Sequence, residues 1–338
     1  MLRVIRVPER VWRWTRTHRR LTLCLAALLA LLALNVVAFN QAWSMTHFSA
    51  SGVRTANPEA LSFLEKIRVG VMGVSLPKPI NAIDPSHVGL RFETVRFGGA
   101  TGSELEGWFI PHKQPRGCVL FAHGYGACKA SLLHEASAIH RLGYSALLVD
   151  FHGSGGSEGQ VTSLGVREAD DVADAVTFVK NKSPTSPLIL YGQSMGSAAI
   201  LRAIAVHRIE PTAVIVECPF DRLLSTAENR FHAMGLPPFP AARLLIFWGG
   251  VQRGFNGFQH NPVDYARHVR CSVLFLHGAK DPRVTLEQAQ AVFDNLAGEK
   301  SFVVFPTAGH ESLLAADADL WTRSVSRFLG SLRNTVTP

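Results

Sequence analysis

The chain has 338 residues, 47% of them hydrophobic and 18% charged, a balance that supplies an ample apolar core and excludes a disordered or low-complexity protein. Its formal charge of +8 is no sign of nucleic-acid binding, because +6 of it lies in residues 1–20, where seven arginines face only Glu9. The length admits one large α/β domain or two small ones.

Taken in order, residues 1–20 form a basic tail, and residues 21–39 follow without a single charge. That run is long enough to cross a bilayer core of roughly 30 Å. Arginines before it and few basic residues after it orient the N-terminus toward the cytoplasm and place the bulk of the chain on the exported side. As a cleaved signal peptide the run would exceed the usual apolar stretch of about 7–15 residues, and no clean small-x-small site follows Phe39. The reading taken is a retained signal-anchor, with Val36-Val-Ala38 as the rival cleavage site. Residues 40–79 form a linker. Apolar residues at helical spacing over 58–72 predict a helix that lies near the membrane or packs on the domain that follows.

Residues 90–97 alternate, 98–102 turn and 105–110 return, the pattern of an antiparallel hairpin. Then the rhythm changes. Apolar runs at 118–122, 145–149, 188–191, 213–216, 273–276 and 302–305 are separated by helical patterns near 131–141, 166–181, 195–207, 285–297 and 319–332. Near-continuous apolar strands alternating with helices predict a mostly parallel sheet covered on both faces. With the hairpin the count is eight strands, and residues 80–338 are read as one catalytic domain of α/β class. Residues 221–261 interrupt it with a segment rich in aromatics, Gly and Pro, too long for an ordinary βα connection. A small apolar lid over the strand C-terminal ends is expected there, in preference to a helix pair that extends the core. Of the five cysteines, Cys24 falls in the span, Cys118, Cys218 and Cys271 at strand ends and Cys128 in a loop. None has metal-ligand spacing, and small buried hydrophobes are the expected role.

The chemistry centres on Gly192-Gln-Ser-Met-Gly196, which follows a buried strand and opens a small-residue helix. A sharp strand-to-helix turn with G-x-S-x-G at its corner is a nucleophile elbow. It strains the serine backbone, exposes the hydroxyl of Ser194, and demands neighbours without side chains so that strand and helix approach closely. A serine hydroxyl needs a base, and the base needs an orienting carboxylate. Asp281 follows one later strand and His310 the next, giving the chain order Ser, Asp, His. Ser194 would attack an acyl carbonyl, His310 shuttle the proton, and Asp281 fix the imidazole tautomer. Two N–H donors must meet the developing oxyanion. The backbone of Met195, next to the nucleophile, and that of Tyr125, in the loop His123-Gly-Tyr-Gly126, are assigned to it.

His123-Gly, Gly192-Gln-Ser-Met-Gly196, His277-Gly-Ala-Lys-Asp281 and Ala308-Gly-His310, in that order on those elements, resemble the α/β-hydrolase superfamily. Asp150-Phe-His-Gly-Ser-Gly-Gly-Ser157 is similar to its D-x-R-G-x-G-x-S loop, with His152 where Arg is more usual. The match runs from about residue 90 to 332. Within the superfamily the chain looks like membrane-anchored bacterial serine hydrolases related to depalmitoylase-like proteins and serine aminopeptidases. The resemblance implies the α/β-hydrolase fold and an acyl-enzyme mechanism. Glu217, at the end of the strand after the elbow, is the rival triad acid, with structural support as its preferred role. The histidines show no H-E-x-x-H or comparable spacing, so no metal is expected, nor any organic cofactor. The reading is a membrane-tethered hydrolase of apolar acyl esters or thioesters, with a serine peptidase or a non-catalytic membrane-bound protein of the same fold as its rivals.

Overall fold

The computed structural model describes residues 18–56, 60–98 and 102–332. Most of the basic tail, residues 57–59 at the head of the expected linker helix, and residues 99–101 in the hairpin turn lie outside them. The chain opens with helices α1 (Arg19–Thr46) and α2 (Phe63–Met72), then the hairpin β1 (Glu93–Gly98) and β2 (Glu104–Ile110). The alternating part follows as β3 (Cys118–Ala122), α3 (Leu133–Arg141), β4 (Ser145–Val149), α4 (Glu168–Lys182), β5 (Leu188–Gln193), α5 (Met195–His207) and β6 (Ala213–Glu217). Next come α6 (Leu223–Ala233), α7 (Ala241–Arg253) and the short α8 (Pro262–Tyr265). The chain closes with β7 (Ser272–Gly278), α9 (Leu286–Asn295), β8 (Lys300–Phe305), α10 (Leu313–Ala316) and α11 (Ala318–Ser331).

All eight strands form one sheet in the order β1-β2-β4-β3-β5-β6-β7-β8. The β1/β2 and β2/β4 pairs are antiparallel and the rest parallel, as the hairpin and the βα alternation require. Successive side chains leave a strand on opposite faces, so β3 feeds two cores. Cys118, Leu120 and Ala122 pack with Val172 of α4, Ala199 of α5 and Val292 of α9. Val119 and Phe121 pack with Ile139 of α3 and Trp321 of α11. Each such large side chain, fully withdrawn from water, contributes about 1.5–3 kcal/mol. The architecture is the α/β-hydrolase fold.

Among the boundaries that differ from expectation are three that open an element. The first strand begins at Glu93 rather than residue 90, because a 3-10 turn at Pro85–Val88 leaves Leu90 and Phe92 packed against the core. The last strand begins earlier, at Lys300. The linker helix begins at Phe63, because Ser62 and Glu65 form a reciprocal cap that fixes its start.

Helix α1 has 28 residues and a mean hydropathy of 2.6 over its most apolar 18-residue window. At 1.5 Å per residue it is about 42 Å long, long and apolar enough to cross a bilayer. Only Ala38, Ala42 and Thr46 are buried along it. They lie on the side where α7 packs: Trp248 donates its indole N–H to Asn35 at 3.1 Å, and Gln252 donates to the Phe39 carbonyl at 2.9 Å.

Candidate active site

The parallel register brings the ends of β3, β5, β6 and β7 to one rim, with Ala122 opposite Gly192 and Gln193 opposite Glu217. The chain turns from β5 into α5 at Ser194, whose φ of 51° and ψ of −114° lie where few non-glycine residues go. The flanking glycines are required by space. A Cβ on Gly196 would stand 2.0 Å from the Ala122 carbonyl oxygen, and one on Gly192 2.6 Å from the Ser197 nitrogen. The turn is pinned from below, since Ser194 N–H donates to the Glu217 carbonyl at 2.7 Å and the Ser197 hydroxyl to the Gly192 carbonyl at 2.7 Å.

Residues far apart in sequence meet at this corner. His310 Nε2 lies 2.9 Å from Ser194 Oγ, and His310 Nδ1 lies 2.6 Å from Asp281 Oδ2. The other Asp281 oxygen accepts the backbone N–H groups of Arg283 and Val284 at 2.8 and 3.0 Å. Burial raises the Asp281 carboxyl, but the His310 hydrogen bond and charge and these two amides together outweigh it, so it titrates below the ordinary carboxylate range. An ionised, acceptor-only carboxylate obliges His310 to carry its proton on Nδ1. That leaves Nε2 as an acceptor aimed at the serine.

Met195 is the first residue of α5, where the backbone N–H has no intrahelical acceptor and the helix dipole favours negative charge. Tyr125 stands opposite in the β3 loop and lines the same cavity. Its side chain does something the sequence did not suggest: the phenol donates to the Met45 carbonyl of α1 at 2.6 Å. Glu217 is engaged by partners other than His310. It is fully buried and accepts from Tyr191, Trp321 and Gln193 at 2.5, 2.8 and 3.2 Å. Burial, then the charge of Glu135, push its carboxyl up to about 7. His123 is committed within its loop, accepting the Phe151 N–H at Nε2, 3.1 Å away. Asp150 anchors the glycine-rich loop through Asn81 and the Gly156 N–H and pairs with the buried Lys129.

Ser194 and His310 open into a cavity of about 270 Å³. Leu223, Ala227 and Ile246 of α6 and α7 form part of its wall, and so do Ala42, Met45 and Thr46 of α1. Three arginines, Arg54, Arg230 and Arg283, also line it, with Glu311 as the one carboxylate among its described lining residues. The α1 contribution and the arginines went unread in the sequence. Ala42, Met45, Thr46 and Arg54 fall in the stretch read as a linker, Arg230 in the expected lid, and Arg283 in the loop just after Asp281, where no pattern marks a cavity-facing arginine. Cys218, another unforeseen neighbour, has its thiol within 4.8 Å of ligand atoms on Asp281 and His310, the described group of three able to share an ion. Since both His310 nitrogens are engaged by Ser194 and Asp281, ion capture there would break that relay.

Residues 113–237 match a family model described as serine aminopeptidase, S33. An uncharacterized protein, YqkD of Bacillus subtilis, is 24% identical over 70% of this chain and 78% of its own. Bos taurus ABHD12, a lysophosphatidylserine lipase, is 23% identical over 54% of this chain and 46% of its own. Among solved structures, the Pyrococcus furiosus esterase Pf2001 superposes with a TM-score of 0.64 at 20% identity, over 75% of this chain and 96% of that one. A membrane phospholipase A described as a bacterial virulence factor superposes at 0.54 with 18% identity, over 72% and 87%.

Proposed function

We propose that this chain is a serine hydrolase of the α/β-hydrolase superfamily, acting on carboxylic esters or thioesters with an apolar acyl group. The observation that carries the reading is the continuous relay from Asp281 through His310 to Ser194, 2.6 and 2.9 Å long, at the floor of a mainly apolar cavity. Ser194 Oγ attacks the acyl carbonyl while His310 Nε2 takes its proton. The tetrahedral oxyanion is met by the N–H groups of Met195 and Tyr125. His310 then passes the proton to the leaving oxygen or sulfur, and the C–O or C–S bond breaks to give an acyl-enzyme. Water, deprotonated by the same imidazole, releases the acid. The cycle calls on no metal or organic cofactor.

In this reading α1 is a single-pass anchor with its N-terminus in the cytoplasm, and residues 80–338 work on the exported side with α6 and α7 as the lid. The cavity's charge favours esterase over aminopeptidase. A peptidase reading a free amine needs carboxylates to receive it, whereas Arg54, Arg230 and Arg283 outnumber Glu311 here. Ser194→Ala abolishes both p-nitrophenyl ester hydrolysis and labelling by a fluorophosphonate probe; equal labelling of variant and parent would end the proposal.

A further inference from the structure

A second cavity of about 270 Å³ lies beside the first. Met45, Arg54, Tyr125, Arg230, Leu245 and Arg283 line both, so the two meet at one partition, the wall that the Tyr125 phenol and Met45 carbonyl close with their 2.6 Å hydrogen bond. Beyond that partition the second cavity runs along α1. Leu34, Val37 and Ala38 form one of its walls, Val69 and Gly70 of α2 another, and Phe231 and Met234 a third. Described residues give it no carboxylate lining.

Leu34 sits five residues before Phe39, the last residue of the apolar run before Asn40 and Gln41, and so about 8 Å further along the helix axis. A cavity wall at Leu34 therefore lies below the membrane surface if α1 spans the bilayer. The elements around it carry the marks of the same setting. Phe63, Leu64, Val71 and Met72 on α2 are 64–76% exposed, and Phe239 before α7 is 73% exposed. Trp248 of α7 packs its ring edge-on against Phe39 at 5.4 Å and is tied to Asn35, at the depth where amphipathic aromatics collect. Exposed apolar side chains of this kind, on elements packed beside an exposed apolar helix, fit a membrane contact.

We propose that the second cavity is an acyl-chain site filled sideways from the bilayer, and that α1 is a wall of the substrate channel as well as a tether. The substrate is then a membrane-resident amphiphile. Its chain occupies the groove between α1, α2 and α6, and its ester passes the Tyr125–Met45 partition to reach Ser194. The chain moves from one apolar medium to another, whereas an approach through water would expose every methylene. The two cavities together have the size of a ligand site of ~300–1,000 Å³. The inference rests on the ester-hydrolase and anchor readings above.

The test uses the full chain in phosphatidylcholine vesicles, with p-nitrophenyl butyrate and p-nitrophenyl palmitate as substrates. Val37→Trp fills the second cavity from α1. Gly70→Leu fills it from α2, where an added Cβ meets nothing within 4 Å, and keeps the test open should the first variant fold poorly. Val36→Trp, at a 60% exposed neighbour on the same helix, is the control. We expect the palmitate-to-butyrate ratio of kcat/KM to fall at least about tenfold in either cavity variant and to hold in the control. An unchanged ratio, an equal loss on both esters, or the same fall in Val36→Trp would overturn the channel. Failure of the parent to hydrolyse either ester or to take the fluorophosphonate label would instead remove the hydrolase reading itself.

Discussion

Replacing Asp281 by Asn tests the relay at its most informative point. In the parent, Asp281 Oδ1 accepts two backbone N–H groups and Oδ2 faces His310 Nδ1. An amide can keep both backbone bonds only by placing its carbonyl oxygen in the Oδ1 position. Its NH₂ group then points at Nδ1, a nitrogen that must give up its hydrogen to accept. The imidazole proton moves to Nε2, which can no longer take the serine proton. The expected loss is about 10⁴-fold in kcat, roughly 5 kcal/mol of barrier. Folding suffers far less, because the two amide bonds survive and only a charge-assisted bond of about 1.5–3 kcal/mol is weakened. Steady-state hydrolysis of p-nitrophenyl butyrate, beside a thermal melt, separates the two effects. A variant within about tenfold of the parent would refute the tautomer argument. A larger loss in Glu217→Gln than in Asp281→Asn would move the acid's role to the neighbouring strand.

Gly196→Ala drives a Cβ to within 2.0 Å of the Ala122 carbonyl oxygen, backbone that has no rotamer to escape into. The expected outcome is an insoluble protein or one destabilised by more than about 3 kcal/mol, read by soluble yield and denaturant midpoint; a parent-like midpoint would contradict the strand–helix spacing. Glu217→Gln should change how stability depends on pH. With its carboxyl raised from 4.5 to about 7, the native state keeps a proton that the unfolded chain releases, so the parent loses stability as pH climbs through that window. The variant lacks this slope. Its melting temperature should therefore gain on the parent's between about pH 5 and pH 8, and a constant difference would mean that the carboxyl is ionised throughout.

The parts of this molecule legible in the sequence are those governed by local pattern. Alternating strand and helix runs predict the sheet because a strand covered on both faces must be largely apolar, as β3 to β6 are apart from Ser145, Gln193 and Glu217 at their ends. G-x-S-x-G could be read because steric exclusion at residues 192 and 196 leaves a residue-specific mark. The positions of Asp281 and His310 followed from where parallel strands end. What stayed hidden has no periodicity or spacing to announce it. Arg230 and Arg283 lie 53 residues apart in sequence and line the same cavity. Nothing in residues 40–46, which read as the start of a linker, says that Ala42, Met45 and Thr46 continue α1 and turn toward a serine beyond residue 190. The start of β1 slipped because Leu90 and Phe92 carry the same alternation outside the strand as Phe97 does within it.

The bond between Tyr125 and Met45 has a practical corollary for anyone preparing the protein. A water-soluble fragment beginning near Ala50 would retain Ser194, Asp281 and His310, yet lack the last turns of α1 that close one side of their cavity. The phenol would lose its acceptor and the breach would admit solvent next to Ser194. Chain-length preferences measured on such a fragment would describe an open-sided enzyme, so detergent or nanodisc preparations of the whole polypeptide are the material on which selectivity has to be determined.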